Sequence, residues 1–120
     1  MASKLLVVDD ATFMRLMLRN ILIKDGLDVV EQAQNCVEAV DKYKELKPNL
    51  VTLDITMPEK DGIAALREIK QYDNNAKVLM CSAMGQQALI IESIQNGAKD
   101  FIVKPFDEQR VLNSIHKIIG

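Results

Sequence analysis

The 120-residue chain holds two cysteines, one histidine and five glycines, and each scarcity removes a class of function. Cys36 and Cys81 are too few for a disulfide framework and lack metal-ligand spacing. Cys81 ends an apolar run, so a buried reduced thiol is expected there. His116, on the flank of the last helical segment, has nothing nearby in the sequence to make it a base and reads as a solvated helix residue. No glycine-rich turn follows the first apolar run, which argues against a dinucleotide-binding unit. A net charge of −2 and a pI near 5.4 leave no basic footprint for nucleic acid. No run is long enough to span a membrane. The one in MASKLLVVDD is too short for a signal peptide, and two aspartates close it at once. With 48% hydrophobic and 27% charged residues, the chain suits one soluble domain with a single core, expected in the cytoplasm.

Five short apolar runs alternate with five stretches of helical period. The runs are Lys4–Val8, Asp28–Glu31, Leu50–Leu53, Lys77–Cys81 and Asp100–Val103. Most are continuous rather than alternating, as expected of parallel strands covered on both faces. The first helical stretch, Thr12 to about Asp25, places Met14, Met17, Leu18, Ile21 and Leu22 inward, with the methionines as core filler, and stops at Gly26. The second starts near Asn35, a good N-cap, and buries Cys36, Ala39, Val40 and Tyr43. The third follows Gly62, with Ala65, Leu66 and Ile69 inward. The fourth runs from about Gly85 to Asn96 on a core face of Ile90, Ile91 and Ile94. The fifth, from about Asp107, buries Val111, Leu112, Ile115, Ile118 and Ile119. Strict β-α alternation without repeat or linker predicts an α/β fold with one doubly wound sheet and helices on both faces. Right-handed crossovers then bring every strand's C-terminal end to one edge, where ligands bind.

The chemistry collects on that edge. The first strand ends in Asp9-Asp10, the third in Asp54, the fourth in Ser82-Ala83 and the fifth in Lys104-Pro105. After Asp54 a turn-forming segment follows, with Pro58 and Asp61-Gly62 as breakers. Alone, Asp9-Asp10 or Asp54 is equally well a helix or strand cap, and Lys104 an ordinary surface lysine. Together they make a coherent set. Three close carboxylates repel one another without a cation, and hard oxygen ligands with room for water suit Mg²⁺. A lysine and a hydroxyl beside that cation would hold the other oxygens of a phosphoryl group.

Four segments carry a resemblance: VVDD (Val7–Asp10), LDITMPEKDG (Leu53–Gly62), CSAMGQQ (Cys81–Gln87) and GAKDFIVKPF (Gly97–Phe106). On these the chain resembles the receiver domain of two-component response regulators over essentially its whole length, residues 1–120, and within them the stand-alone chemotaxis regulators. The resemblance implies a flavodoxin-like (βα)5 fold with strand order 2-1-3-4-5, an order of which regulators of this kind are a general example. It implies that Asp54 takes a phosphoryl group from a histidine kinase of the chemotaxis type. Asp10 and Asp54 would ligate Mg²⁺ directly, Asp9 through water, and the Thr56 backbone carbonyl would complete the protein ligands. Lys104 would pair with Asp54 before phosphorylation and with the phosphoryl group after it. Ser82 and the Ala83 backbone N–H would bind phosphoryl oxygens, and Lys104-Pro105 would be a cis peptide.

Output follows from the same resemblance. Ser82 would move toward the phosphoryl group, Phe101 would turn inward, and the face of the fourth helix, fifth strand and fifth helix would be read by a flagellar motor switch protein. Leu89, Phe101 and Lys104 are the partner-face candidates. Leu89 points about 150° from the expected core face, at 100° per residue. Without the resemblance, Phe101 would read as core and Leu89 as an unremarkable exposed leucine. The chain departs from its relatives at Phe101, where many chemotaxis regulators carry tyrosine. It departs again at Cys36, where they often carry glycine; a cysteine there would be strained at positive φ, so the helix is expected to start one residue earlier.

The expectation is therefore a monomeric phosphoacceptor switch, not an enzyme beyond slow loss of its own phosphoryl group, with a phosphatase as a further partner. Met1 and a helix ending at Gly120 suggest a complete chain with no output domain of its own. One rival is a phosphorelay intermediate that passes the phosphoryl group to a histidine. A less favoured rival is a small aspartyl-phosphate phosphohydrolase. Such enzymes commonly carry an acid two residues after the nucleophile, where this chain has Thr56.

Overall fold

The computed structural model describes residues 4–57 and 61–119; Pro58 and Gly120, both used in the sequence reading, lie outside them. Elements alternate from end to end: β1 (Lys4–Val8), α1 (Thr12–Lys24), β2 (Asp28–Ala33), α2 (Cys36–Leu46), β3 (Leu50–Asp54), α3 (Gly62–Tyr72), β4 (Val78–Ser82), α4 (Gln87–Gln95), β5 (Asp100–Val103) and α5 (Glu108–Ile119). All pairings are parallel, and the strands lie in the order β2-β1-β3-β4-β5. Successive side chains of a strand point to opposite faces, so the apolar runs feed two cores. Leu6, Val8, Val51 and Leu53 meet Ala39, Tyr43, Leu66 and Ile69 on the side of α2 and α3. Leu5, Val7, Leu50 and Leu79 meet Leu18, Leu22, Val111 and Ile115 on the side of α1 and α5. β3 and β4 are buried at every position, as parallel strands covered by helices on both faces are. Among the described residues no helix is long and apolar enough to cross a membrane.

Helix starts follow the caps. Asn35 Oδ1 accepts from the Glu38 N–H at 2.9 Å, and Asp61 Oδ1 accepts from the Ala64 N–H at 2.9 Å. Asn35 is extended, at φ −155, and Cys36 opens α2 without strain; Lys47 is the positive-φ non-glycine residue among those described. Strand ends run further than the apolar runs. β2 continues to Ala33 because Gln32 and Ala33 still pair with Val7 and Val8. β4 is shifted one residue, to Val78–Ser82, so that Ser82 pairs with Val103.

Three side-chain readings are corrected. Leu89 does not point away from the core: it and Ile90 are half-buried and pack against it, while Ile91 and Ile94 are 58% and 44% exposed. Apolar residues run consecutively from Ala88 to Ile91 and so spread around the helix, and the count of isoleucines picks the wrong face. Small Ser93, its hydroxyl donating to the Leu89 carbonyl at 2.8 Å, takes the buried position instead. Met14, Met17 and Leu112 are half-buried rather than core. His116 is exposed but not alone: its Nε2 lies 2.7 Å from Asp25 Oδ2, an acid more than ninety residues away along the chain.

Candidate functional site

β1 and β3 are neighbours in the middle of the sheet, so the residues at their C-terminal ends meet. Asp9, Asp10 and Asp54 each offer a carboxylate oxygen, and these lie within 4.8 Å of one another. Asp9 and Asp54 are buried, 4% and 5% exposed, whereas Asp10 is exposed. Asp9 is fixed from two sides: its Oδ1 accepts from the Ala11 N–H at 2.9 Å, and Arg15 donates to its backbone carbonyl at 2.6 Å. Asp54 is held through the main chain. The Ile55 N–H donates to the Cys81 carbonyl at 3.0 Å, and the Gly62 N–H to the Ile55 carbonyl at 2.6 Å. A Cβ at Gly62 would stand 2.0 Å from the Asp54 carbonyl oxygen, so only glycine lets the start of α3 come this close behind the acid.

From the edge strand β5, Lys104 reaches back across β4. Its Nζ lies 2.8 Å from Asp9 Oδ2 and 3.4 Å from Asp54 Oδ2. The resemblance implies a pair with Asp54; here the ammonium is shared and sits closer to Asp9. Lys104-Pro105 is cis. Ser82, fully buried at the end of β4, has a hydroxyl with no hydrogen-bond partner, an arrangement costing about 1–3 kcal/mol.

Charge in this pocket is unfavourable for Asp54. Burial and then the Asp9 carboxylate push its pKa up from 3.8 to about 6, against the pull of Lys104 and the Thr56 backbone N–H. Two unit charges no more than 4.8 Å apart repel by roughly 3 kcal/mol or more at an effective dielectric near 20. For Lys104, burial opposes the charge, but the Asp9 hydrogen bond and the Asp54 field outweigh it and hold the pKa above its ordinary value. Burial and the Asp54 charge push the Cys81 thiol up, which keeps it protonated and inert. An all-oxygen cluster with one exposed member fits a hard, partly hydrated divalent ion such as Mg²⁺, and the orphaned Ser82 hydroxyl fits an oxyanion beside it.

Thus Asp9, Asp10, Asp54, Lys104, Ser82 and Ala83 gather on one edge. Phe101 and Leu89 do not touch the carboxylates. Phe101 is half-buried on β5, with the Arg110 guanidinium 5.8 Å from its ring centre, and lines a cleft with Ala83, Met84, Ile90 and Ile91. Two residues here escaped the sequence reading. Arg15 lies in the first turn of α1, six residues past Asp9, and its reach back to the Asp9 carbonyl follows from that place. Gln86, whose carboxamide accepts from the Ala83 N–H and donates to Thr56 Oγ1, both at 2.7 Å, left no signal, since its reach depends on how the β4–α4 loop turns.

The response regulator receiver domain family matches residues 5–116. The chain is 60% identical to the chemotaxis protein CheY of Bacillus subtilis strain 168 over 120 residues, 100% of both chains. It is 58% identical to the chemotaxis protein CheY of Thermotoga maritima over 118 residues, 98% of both. Its fold is similar to that of CheY in the crystal structure of the CheX-CheY-BeF3-Mg complex from Borrelia burgdorferi, with a TM-score of 0.94 and 40% identity, covering 98% of this chain and 90% of that one.

Proposed function

We propose a function from one premise: the chain belongs to the response regulator receiver domain family. It is a signalling phosphoacceptor of the chemotaxis type, and in our reading the acceptor is Asp54. The observation that carries this is the placement of a buried carboxylate, 5% exposed, 3.4 Å from the Lys104 ammonium and beside an unpaired Ser82 hydroxyl. An Asp54 carboxylate oxygen bonds to phosphorus as the P–N bond of a kinase phosphohistidine breaks; the imidazole keeps the electron pair and takes a proton from water. Asp10 and Asp54 would hold Mg²⁺ together with the Thr56 backbone carbonyl, and Asp9 would hold it through water. When bound, the ion neutralises charge on the transferring phosphoryl group. Lys104 passes from the carboxylates to a phosphoryl oxygen, and Ser82 and the Ala83 N–H take the others.

Moving Ser82 off its packed position lets Phe101 turn inward, and the surface of α4, β5 and α5 changes with it. Leu89 drops out of that surface because it packs inward. Phe101 and Lys104 remain, now beside Met84, Ile91 and Val103, which are exposed. The output we propose is reversible binding of a flagellar motor switch protein by a cytoplasmic monomer that is one receiver domain and turns over no substrate beyond its own slow dephosphorylation. A separate phosphatase is a further partner. The test is a titration with the N-terminal peptide of a flagellar switch protein, with and without beryllofluoride and Mg²⁺. Tighter binding in the beryllofluoride sample is expected. Equal or absent binding, with beryllofluoride bound, would contradict the motor output and favour a phosphorelay intermediate.

A further inference from the structure

Gln86 occupies the Ala83 N–H, the donor that the proposed function assigns to a phosphoryl oxygen. Its Oε1 accepts from the Ala83 N–H at 2.7 Å, and its Nε2 donates to Thr56 Oγ1 at 2.7 Å. One carboxamide therefore bridges the end of β4 and the segment after Asp54. Gly85, at φ +87, turns the loop so that Gln86 folds back toward Ala83; a side chain at Gly85 would be strained there. Gln86 is also the N-cap of α4, yet its side chain makes no cap bond to that helix, while its carbonyl accepts from the Ile90 N–H at 3.0 Å. The first turn of α4 is thus tied to the site through one side chain.

We infer that Gln86 is a gating residue, a neutral stand-in that holds the Ala83 N–H until a phosphoryl oxygen on Asp54 displaces it and so unties α4. The inference rests on Asp54 being the phosphoacceptor. The Ala83 amide has one hydrogen to give, so carboxamide and phosphoryl oxygen compete for it. The charged acceptor wins because a charge-assisted bond is about twice as strong as a neutral one. Gln86 lines the same cleft as Phe101, Ile90 and Ile91, so its release alters the wall of the surface that a partner would meet. The link is reciprocal: a partner that holds α4 in its untied position leaves Ala83 free and favours the phosphorylated form.

The test is a beryllofluoride titration in excess Mg²⁺, followed by nitrogen-15 NMR of the Ala83 amide and the Gln86 side-chain NH₂. In the unchanged chain both signals should move together as the mimic binds. Gln86→Ala should tighten beryllofluoride by roughly two- to tenfold, the loss of one competing neutral hydrogen bond. Thr56→Val, which keeps Gln86 but removes its anchor, should act in the same direction, and the double variant should gain no more than Gln86→Ala alone. If the unchanged chain binds beryllofluoride and Gln86→Ala binds it equally or more weakly, the gate is overturned while the phosphoacceptor reading stands. If the unchanged chain does not bind it at all, both fall.

Discussion

Asp54 and Lys104 lie 3.4 Å apart in a pocket whose burial works against charge on the carboxylate. A pKa raised from 3.8 to about 6 means that the folded chain holds this proton more tightly than the unfolded chain. Without metal, the contribution of Asp54 to stability should be greatest below about pH 4 and be lost as the pH rises through about 6. Urea midpoints compared between the wild-type chain and Asp54→Asn should show that extra pH dependence in the wild type alone. With Asp54 as a Mg²⁺ ligand, as proposed, a proton and the ion would compete for the same oxygens, and Mg²⁺ affinity should fall by about tenfold per pH unit below pH 6. Calorimetric titrations at pH 5 and pH 7.5 would check this, and a flat profile would contradict the placement of Asp54 in the metal site. Lys104→Ala removes the ammonium that offsets two buried acids. It should leave labelling by acetyl phosphate in place but weaken the beryllofluoride-dependent gain in partner binding by about tenfold, the loss of one charged hydrogen bond. A variant that still activates its partner normally would show that the lysine is misread.

At the level of elements, the site depends on backbone as much as on side chains. α3 starts at Gly62 because nothing larger fits against the Asp54 carbonyl, 2.0 Å from where a Cβ would stand. Gly62→Ala must push α3 from the end of β3, and a cost of about 3 kcal/mol is expected, read as a lower urea midpoint. The Asp54 and Ile55 amide signals should shift with it; unchanged signals would mean that the contact is not rigid. α4 shows where sequence patterning fails. With Leu89, Ile90, Ile91 and Ile94 in one short helix, no single face stands out by hydrophobicity. The buried position goes to Ser93, 1% exposed, which is small and self-satisfied through the Leu89 carbonyl. By contrast α2, α3 and α5 alternate apolar and charged residues, and Ala39, Tyr43, Leu66, Ile69, Val111 and Ile115 are buried as their spacing predicts.

For the molecule as a whole, the alternation of apolar runs and amphipathic stretches carried the layers, and right-handed crossovers carried the common edge on which Asp9, Asp10, Asp54, Ser82 and Lys104 meet. Strand order came with the family resemblance rather than with periodicity, because nothing in β1 itself says which strand lies beside it. Contacts that join residues far apart through loops stayed hidden. Gln86 to Thr56 and His116 to Asp25 depend on turn geometry that residue types alone do not fix. Intact-protein mass spectrometry after incubation with acetyl phosphate tests most directly whether Asp54 accepts a phosphoryl group. One added phosphate is expected with Mg²⁺, none after chelation of the metal and none on Asp54→Asn. Stoichiometric labelling of Asp54→Asn would contradict the assignment.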